Sequence, residues 1–356
     1  MRGYFLGVIL FNHLQYYPSG LDIFTGRGML YASTAEGFFA VSGIVLGIIR
    51  GRKLIEAPFK LAASLLFKRS FQLYLTSIIL TLLFTFVGTL FIGNEGLKYG
   101  IYTNWSNIFE LAWKTLTLQY TYGWADFLRY YAIFMFFAPA ALWLLRKGYA
   151  YILVAISLSV WCLFPLSPLP PELSQPLSWQ VIFFGGFMIG YYWPVLVTYW
   201  QKISNKVQNV IGISLVVTAA ITVSASILLV FGHEFGGALG SQLDTIHRSI
   251  GDWFNKDRMP FSRMLLGVVW FWAIFWVLRK FEPFIIKKVG WLLLPLGENS
   301  LYVYTIQSFI VFFAHLFILR PGGSDSILIN LAVSIAALTL VYVAVRTKFL
   351  MKIIPR

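Results

Sequence analysis

The opening stretch of the chain, Arg2 through His13 and Leu14, is an apolar helical segment with a guanidinium at its start and an imidazole inside it. At 100° per residue the step from Arg2 to His13 is a rotation of about 1100°, so both side chains fall on nearly the same face, about three turns and roughly 16 Å apart. A segment that only had to span lipid needs neither group. Ionisable side chains at membrane depth cost a few kcal/mol each and mark a pathway or a reaction site. The remaining chain is expected to enclose this helix.

That the surroundings are a membrane follows from composition: 58% of the residues are hydrophobic and 12% charged, where a soluble domain has roughly 25% charged. The net charge of +14 does not imply nucleic acid, because the basic residues fall in short clusters between apolar spans, which is a topology signal. One cysteine, Cys162, excludes an intrachain disulfide and a cysteine-based zinc site. Met1 leads almost at once into the first span with no small-residue cleavage site, so no cleavable signal is expected.

Ten apolar spans are expected: 3–17, 30–49, 70–92, 127–145, 149–166, 179–200, 207–231, 263–278, 297–319 and 327–345. Each approaches the length a helix needs to cross about 30 Å of hydrocarbon. The alternation of a transmembrane barrel is absent, so the fold class is all-α: an integral membrane bundle of about ten helices. Nineteen Lys and Arg fall on one side (Arg2, the group from Arg50 to Arg69, Arg146, Lys147, and their counterparts through Arg356) against eight on the other, which include Lys98 and Lys256. That bias puts both termini in the cytoplasm. Residues 107–120 have the spacing of an interfacial helix, and 232–262 is expected to fold over the outer mouth. Trp and Tyr near span ends, Trp105 and Trp124 among them, fit interfacial belts. The run Gly236 to Gly240 reads as a flexible outer loop. The inner segment Arg50 to Arg69 holds six basic residues against Glu56, suited to anionic headgroups or a polyphosphate.

Arg2, ten intervening residues and His13 resemble the arginine-to-histidine signature of the acyltransferase family 3 proteins. The second span, Ala35-Glu36-Gly37-Phe38-Phe39-Ala40-Val41-Ser42-Gly43, is similar to the Phe-Phe-x-x-Ser-Gly helix of that superfamily, and with Glu36 before it the version resembles the OpgC family, succinyltransferases of osmoregulated periplasmic glucans. The likeness continues through Trp124-Ala125-Asp126, Trp179-Gln180 with Gly185 and Gly190, Lys256 to Arg263, and Leu296 to Tyr304. Three positions depart from the pattern: only Met1 precedes Arg2, Gln72 stands where a second arginine is usual after Lys68-Arg69, and Gln307 stands where a histidine usually follows Tyr304. The resemblance implies one transmembrane acyltransferase domain over 1–356 in a bacterial inner membrane. It also implies an acyl-CoA donor (succinyl-CoA or acetyl-CoA), a glucan or other glycan acceptor, and no permanently bound cofactor. Lipids and glycan-synthesis proteins are the candidate partners.

Acyl transfer to a sugar hydroxyl needs a base, and a neutral imidazole suits that role at neutral pH; His13 is the candidate, with a packing histidine as the alternative. Arg2 is placed to hold a phosphate of the donor or steady developing charge, and Lys68 and Arg69 to hold nucleotide phosphates, unless topology alone explains them. Glu36 is expected to orient His13, to contact the sugar, or to pair with Arg27 or another outer cation. Ser42 and Gly43 read as a close helix approach rather than covalent chemistry. Trp124, Asp126 and Arg129 are candidate acceptor-binding residues, or an interfacial ion pair. Asn299, Tyr302, Tyr304 and Gln307 form a polar stripe suited to a tunnel wall. No histidine has metal-ligand spacing, and no metal is expected. The rival class is a transporter or flippase for a glycan or small solute; a catalytically lapsed homologue is the third reading.

Overall fold

A computed structural model describes residues 1–97 and 107–354; Lys98, Trp105 and Arg356 lie outside them. Among the described residues 81% are helical and none lies in a strand. The helices are α1 (Arg2–Leu14), α2 (Asp22–Thr25), α3 (Thr34–Leu46), α4 (Phe59–Leu90), α5 (Ile108–Leu116), α6 (Asp126–Arg146), α7 (Ala150–Leu163), α8 (Pro171–Tyr191), α9 (Trp193–Lys202), α10 (Asn205–Val230), α11 (Gly237–Ile250), α12 (Phe261–Lys280), α13 (Glu282–Glu298), α14 (Ser300–Phe317) and α15 (Ile327–Thr347). A π-helical segment, Gly47–Arg52, extends α3.

Among the described residues seven helices are long and apolar enough to cross a membrane, or eight if α8 and α9, which meet at a 69° bend, count as one span. The expected number was about ten. All ten apolar stretches contain helix, but α1 has 13 residues and α7 has 14, so α1 is about 20 Å long and short of the hydrocarbon thickness. Hydropathy registers apolar length and is blind to where a helix breaks. At the α8–α9 bend Pro194 supplies no N–H to the ladder.

Two further segments differ from the reading. Lys68 and Arg69 do not lie in an inner connection: α4 begins after Pro58 and runs unbroken for 32 residues, which places both inside a helix about 48 Å long. Nor is 237–240 a loop. Gly236, at φ 67°, precedes α11, which carries an Asp244–Arg248 pair at 2.7 Å; this intrahelical support offsets the low helix propensity of the glycines. The helix expected near 107–120 is present as α5, capped by the Asn107 side chain on the Glu110 amide at 3.1 Å.

Helix α1 sits inside the bundle, packed against α3, α13, α14 and α15. Its entry is backbone on backbone: a Cβ on Gly3 would run into the Leu293 carbonyl of α13, and Gly297 faces Gly3 in return. Its exit is tied by polar bonds. His315 Nε2 donates to the Leu14 carbonyl at 2.8 Å, Tyr16 to the Leu319 carbonyl at 2.8 Å, and Asn330 to the Pro18 carbonyl at 2.8 Å. Arg2 bonds Ser300 at the opposite end, so α1 and α14 run parallel. The aromatic-rich second span is explained by packing: Phe39 is fully buried and stacks on Phe127 at 4.2 Å, with Phe134 and Trp179 edge-on at 5.5 Å each.

Candidate active site

The candidate residues divide between the two ends of α1. At the Arg2 end, a cavity of about 490 Å³ is lined by Arg2, Arg50, Lys68, Arg69, Gln72, Ser42, Tyr131, Ser300 and Glu298, among others. Helix α4 brings Lys68 and Arg69, the π segment brings Arg50, and α1 brings Arg2. Arg2 and Arg50 both act electrostatically on Arg69. Glu298 is the one carboxylate among the described residues that line the cavity. Four cations around one acid repel each other, and an anion with several charges relieves that repulsion. A buried polar atom here, Arg2 Nε, has no partner, which leaves a donor available to a guest.

At the other end His13 points into the bundle. Its ring meets the Tyr304 ring edge-on at 6.2 Å, its Nδ1 is buried without a hydrogen-bond partner, and the residue as a whole is half-buried. Asp126 is exposed at the first turn of α6. Lys256 acts electrostatically on both Asp126 and His13, and His315 on His13 as well. The Lys256 segment is fixed across the ends of α7 and α8: Trp179 donates to the Lys256 carbonyl at 3.1 Å, Ser178 to the Asp257 carbonyl at 3.0 Å, and Trp161 to the Met259 carbonyl at 2.9 Å. Trp124 packs on His315 at 5.3 Å, and its carbonyl accepts from the Tyr304 hydroxyl.

Aromatic rings connect the two ends. Tyr131, on the cavity wall, lies 6.4 Å from Phe127; Phe127 stacks on Tyr304 at 5.6 Å, and Tyr304 meets His13. An apolar file of three rings thus leads from the cationic cavity to the imidazole.

Several candidates have other partners. Glu36 makes no hydrogen bond to His13 among the described residues. It completes the capping box of α3 with Ser33 and pairs with Arg263, not Arg27, at 2.5 Å, both side chains 4% exposed. Arg27 pairs instead with Asp22 and Glu234. Arg129 is buried and donates to the Leu118 carbonyl at 3.3 Å rather than forming a surface ion pair. Asn299 closes the last turn of α13 on the Pro295 carbonyl at 2.9 Å. Tyr302 is fully buried and donates to the Ala344 carbonyl of α15 at 3.0 Å. Gln307 is buried with its amide nitrogen unpartnered, one turn beyond Tyr304.

Arg50, Glu298, Lys256 and His315 were not singled out as site residues from the sequence, although Lys256 and Glu298 lie in stretches that carry the family likeness and Arg50 in the basic inner segment. Arg50 and Lys256 sit among cations whose topological role masks any other, and only the fold brings Glu298 to Arg2. Among the described residues no three His, Cys, Asp or Glu side chains gather into a group that could hold a metal ion. A family model described as OpgC protein matches residues 1–353. No curated protein and no solved structure matches the chain.

Proposed function

The chain belongs to the OpgC family, which implies an acyltransferase acting on glucans, and from that premise we propose that it moves an acyl group from acyl-CoA to a glucan hydroxyl across a bacterial inner membrane. The observation that carries this reading is the pairing, at opposite ends of one buried helix, of a cation-lined cavity with a half-buried histidine. The cavity suits the phosphates of coenzyme A, and Arg2, Lys68 and Arg69 hold them from the cytoplasmic side. The thioester arm passes along Tyr131, Phe127 and Tyr304 toward His13. The glucan meets Trp124, Asp126 and Lys256 from the periplasm, where aromatic and hydrogen-bonding groups suit a sugar. Succinyl or acetyl is the transferred group.

In the reaction His13 takes the proton of the sugar hydroxyl while that oxygen attacks the thioester carbonyl. The tetrahedral intermediate then expels the coenzyme A thiolate, and the imidazolium returns the proton to it, leaving an ester and a free thiol. Purified protein in proteoliposomes, given acyl-CoA on one side and glucan on the other, is expected to yield ester-linked glucan by mass spectrometry. His13→Ala should lower the rate by about two to four orders of magnitude. A stably folded His13→Ala protein with full transfer overturns the assignment. Passage of unmodified glucan without any acyl donor would instead favour a transporter.

A further inference from the structure

We propose that the π-helical segment Gly47–Arg52 exists to turn Arg50 into the cationic cavity, where Arg50 grips the phosphates of the donor; the phosphate ligand rests on the acyl-CoA reading above, the geometry does not. The argument starts from a glycine seam. Gly43 and Gly47 on one side, and Gly186 and Gly190 on α8, are in direct backbone contact: a Cβ on Gly43 would strike the Phe183 carbonyl, one on Gly47 the Phe187 carbonyl, and one on Gly190 the Ile44 carbonyl. Gly51 continues the seam against the Tyr191 ring. Glycines four apart drift about 40° per step around an α-helix, so a regular helix would carry Gly51 off α8.

The π segment removes that drift. Its i→i+5 bonding widens the turn to about 4.4 residues, or about 82° per residue. Measured from the Gly43 direction, a continued α-helix would set Arg50 only about 20° away, wedged against α8. Ser42, Val45 and Leu46, which line the cavity, occupy the arc about 60° to 160° from that direction. With the wider turn Arg50 lands about 75° away, on that arc, and Gly51 returns to within about 10° of the Gly43 line. One change of helical pitch thus extends the seam and delivers a guanidinium to the cavity. Arg50 does line the cavity and repels Arg69, a placement that is unfavourable unless an anion lies between them. Arg52, two residues on, is exposed and does not line it.

The test is calorimetric binding of coenzyme A, and separately of pyrophosphate, to the purified full chain in detergent. The wild type is expected to bind both. Arg50→Ala should weaken both by about tenfold or more, and Arg50→Lys, which keeps the charge but loses the fork, by a few-fold. Arg52→Ala should stay within about twofold, since an exposed cation outside the cavity contributes little. Unliganded melting temperatures separate loss of the site from loss of the fold, and if Arg50→Ala does not fold, the Arg50→Lys result decides. Wild type that binds pyrophosphate but not coenzyme A, with Arg50→Ala weakened, keeps Arg50 as an anion ligand and overturns the acyl-CoA reading. Undiminished coenzyme A binding by Arg50→Ala overturns the inference and leaves that reading standing. An equal loss in Arg52→Ala, or wild type that binds neither anion, also overturns the inference.

Discussion

Glu36 illustrates how a residue type underdetermines its role. A carboxylate at the start of an apolar span reads equally well as a partner for His13, a sugar contact or half of an ion pair. The geometry separates these, because Oε1 is spent on Arg263 at 2.5 Å and Oε2 on the Ser33 amide at 3.0 Å. Removing one member of a buried pair leaves the other charge unpaired, at a cost of about 3–5 kcal/mol, while removing both is far milder. Glu36→Ala is therefore expected to lower the melting temperature of the purified protein sharply, and Glu36→Ala with Arg263→Met to recover most of the loss. If Glu36→Ala melts like the wild type but loses transfer, the carboxylate works in the reaction and not in the fold. Arg129 and Tyr302 teach the same lesson: a polar side chain in a span is a strong signal of purpose, and only its partner says which purpose.

At the level of elements, the apolar stretches were legible because burial in lipid demands long runs of a few residue types. The Phe-Phe-x-x-Ser-Gly helix was legible too, and its parts now divide by direction: Phe39 into the aromatic core, Ser42 to the cavity, Gly43 to α8. What stayed hidden were the interruptions. The 69° bend at Tyr192, the π turn after Leu46 and the start of α11 at Gly237 each depend on what packs against the helix, which local composition does not record. The seam between α3 and α8 gives this a measurable form. Gly190→Val would force its side chain into the Ile44 carbonyl, and overpacking of a close contact typically costs about 1–3 kcal/mol. Here the obstacle is backbone and cannot swing aside, so the upper end is expected, read as a lower melting temperature and weaker coenzyme A binding. Gly185→Ala, where an added Cβ meets nothing within 4 Å, should leave both unchanged.

For the molecule as a whole the open question is parity. Seven long helices, or eight with the bent pair, cross by length; the charge bias requires the two ends of the chain on the same side. Counting the bent pair as one span, both conditions hold if α1 and α7 both cross, and also if neither does, but not if only one does. Helix α7 continues through a turn of 3-10 helix, Phe164–Leu166, so together they reach about 27 Å, close to the hydrocarbon thickness. Helix α1 is shorter, yet it runs beside α14 from Ser300 to His315, and α14 is itself long enough to cross. Both are thus expected to traverse the bundle. In a Cys162→Ser background, cysteines at Lys147 and Glu172, exposed on either side of α7, should react with a membrane-impermeant maleimide from opposite faces of oriented vesicles. Glu56→Cys should react from the same face as an N-terminal tag and as Lys147→Cys. Labelling of the Lys147 and Glu172 positions from one face would make α7 a partial insertion and reverse every later connection relative to the charge bias.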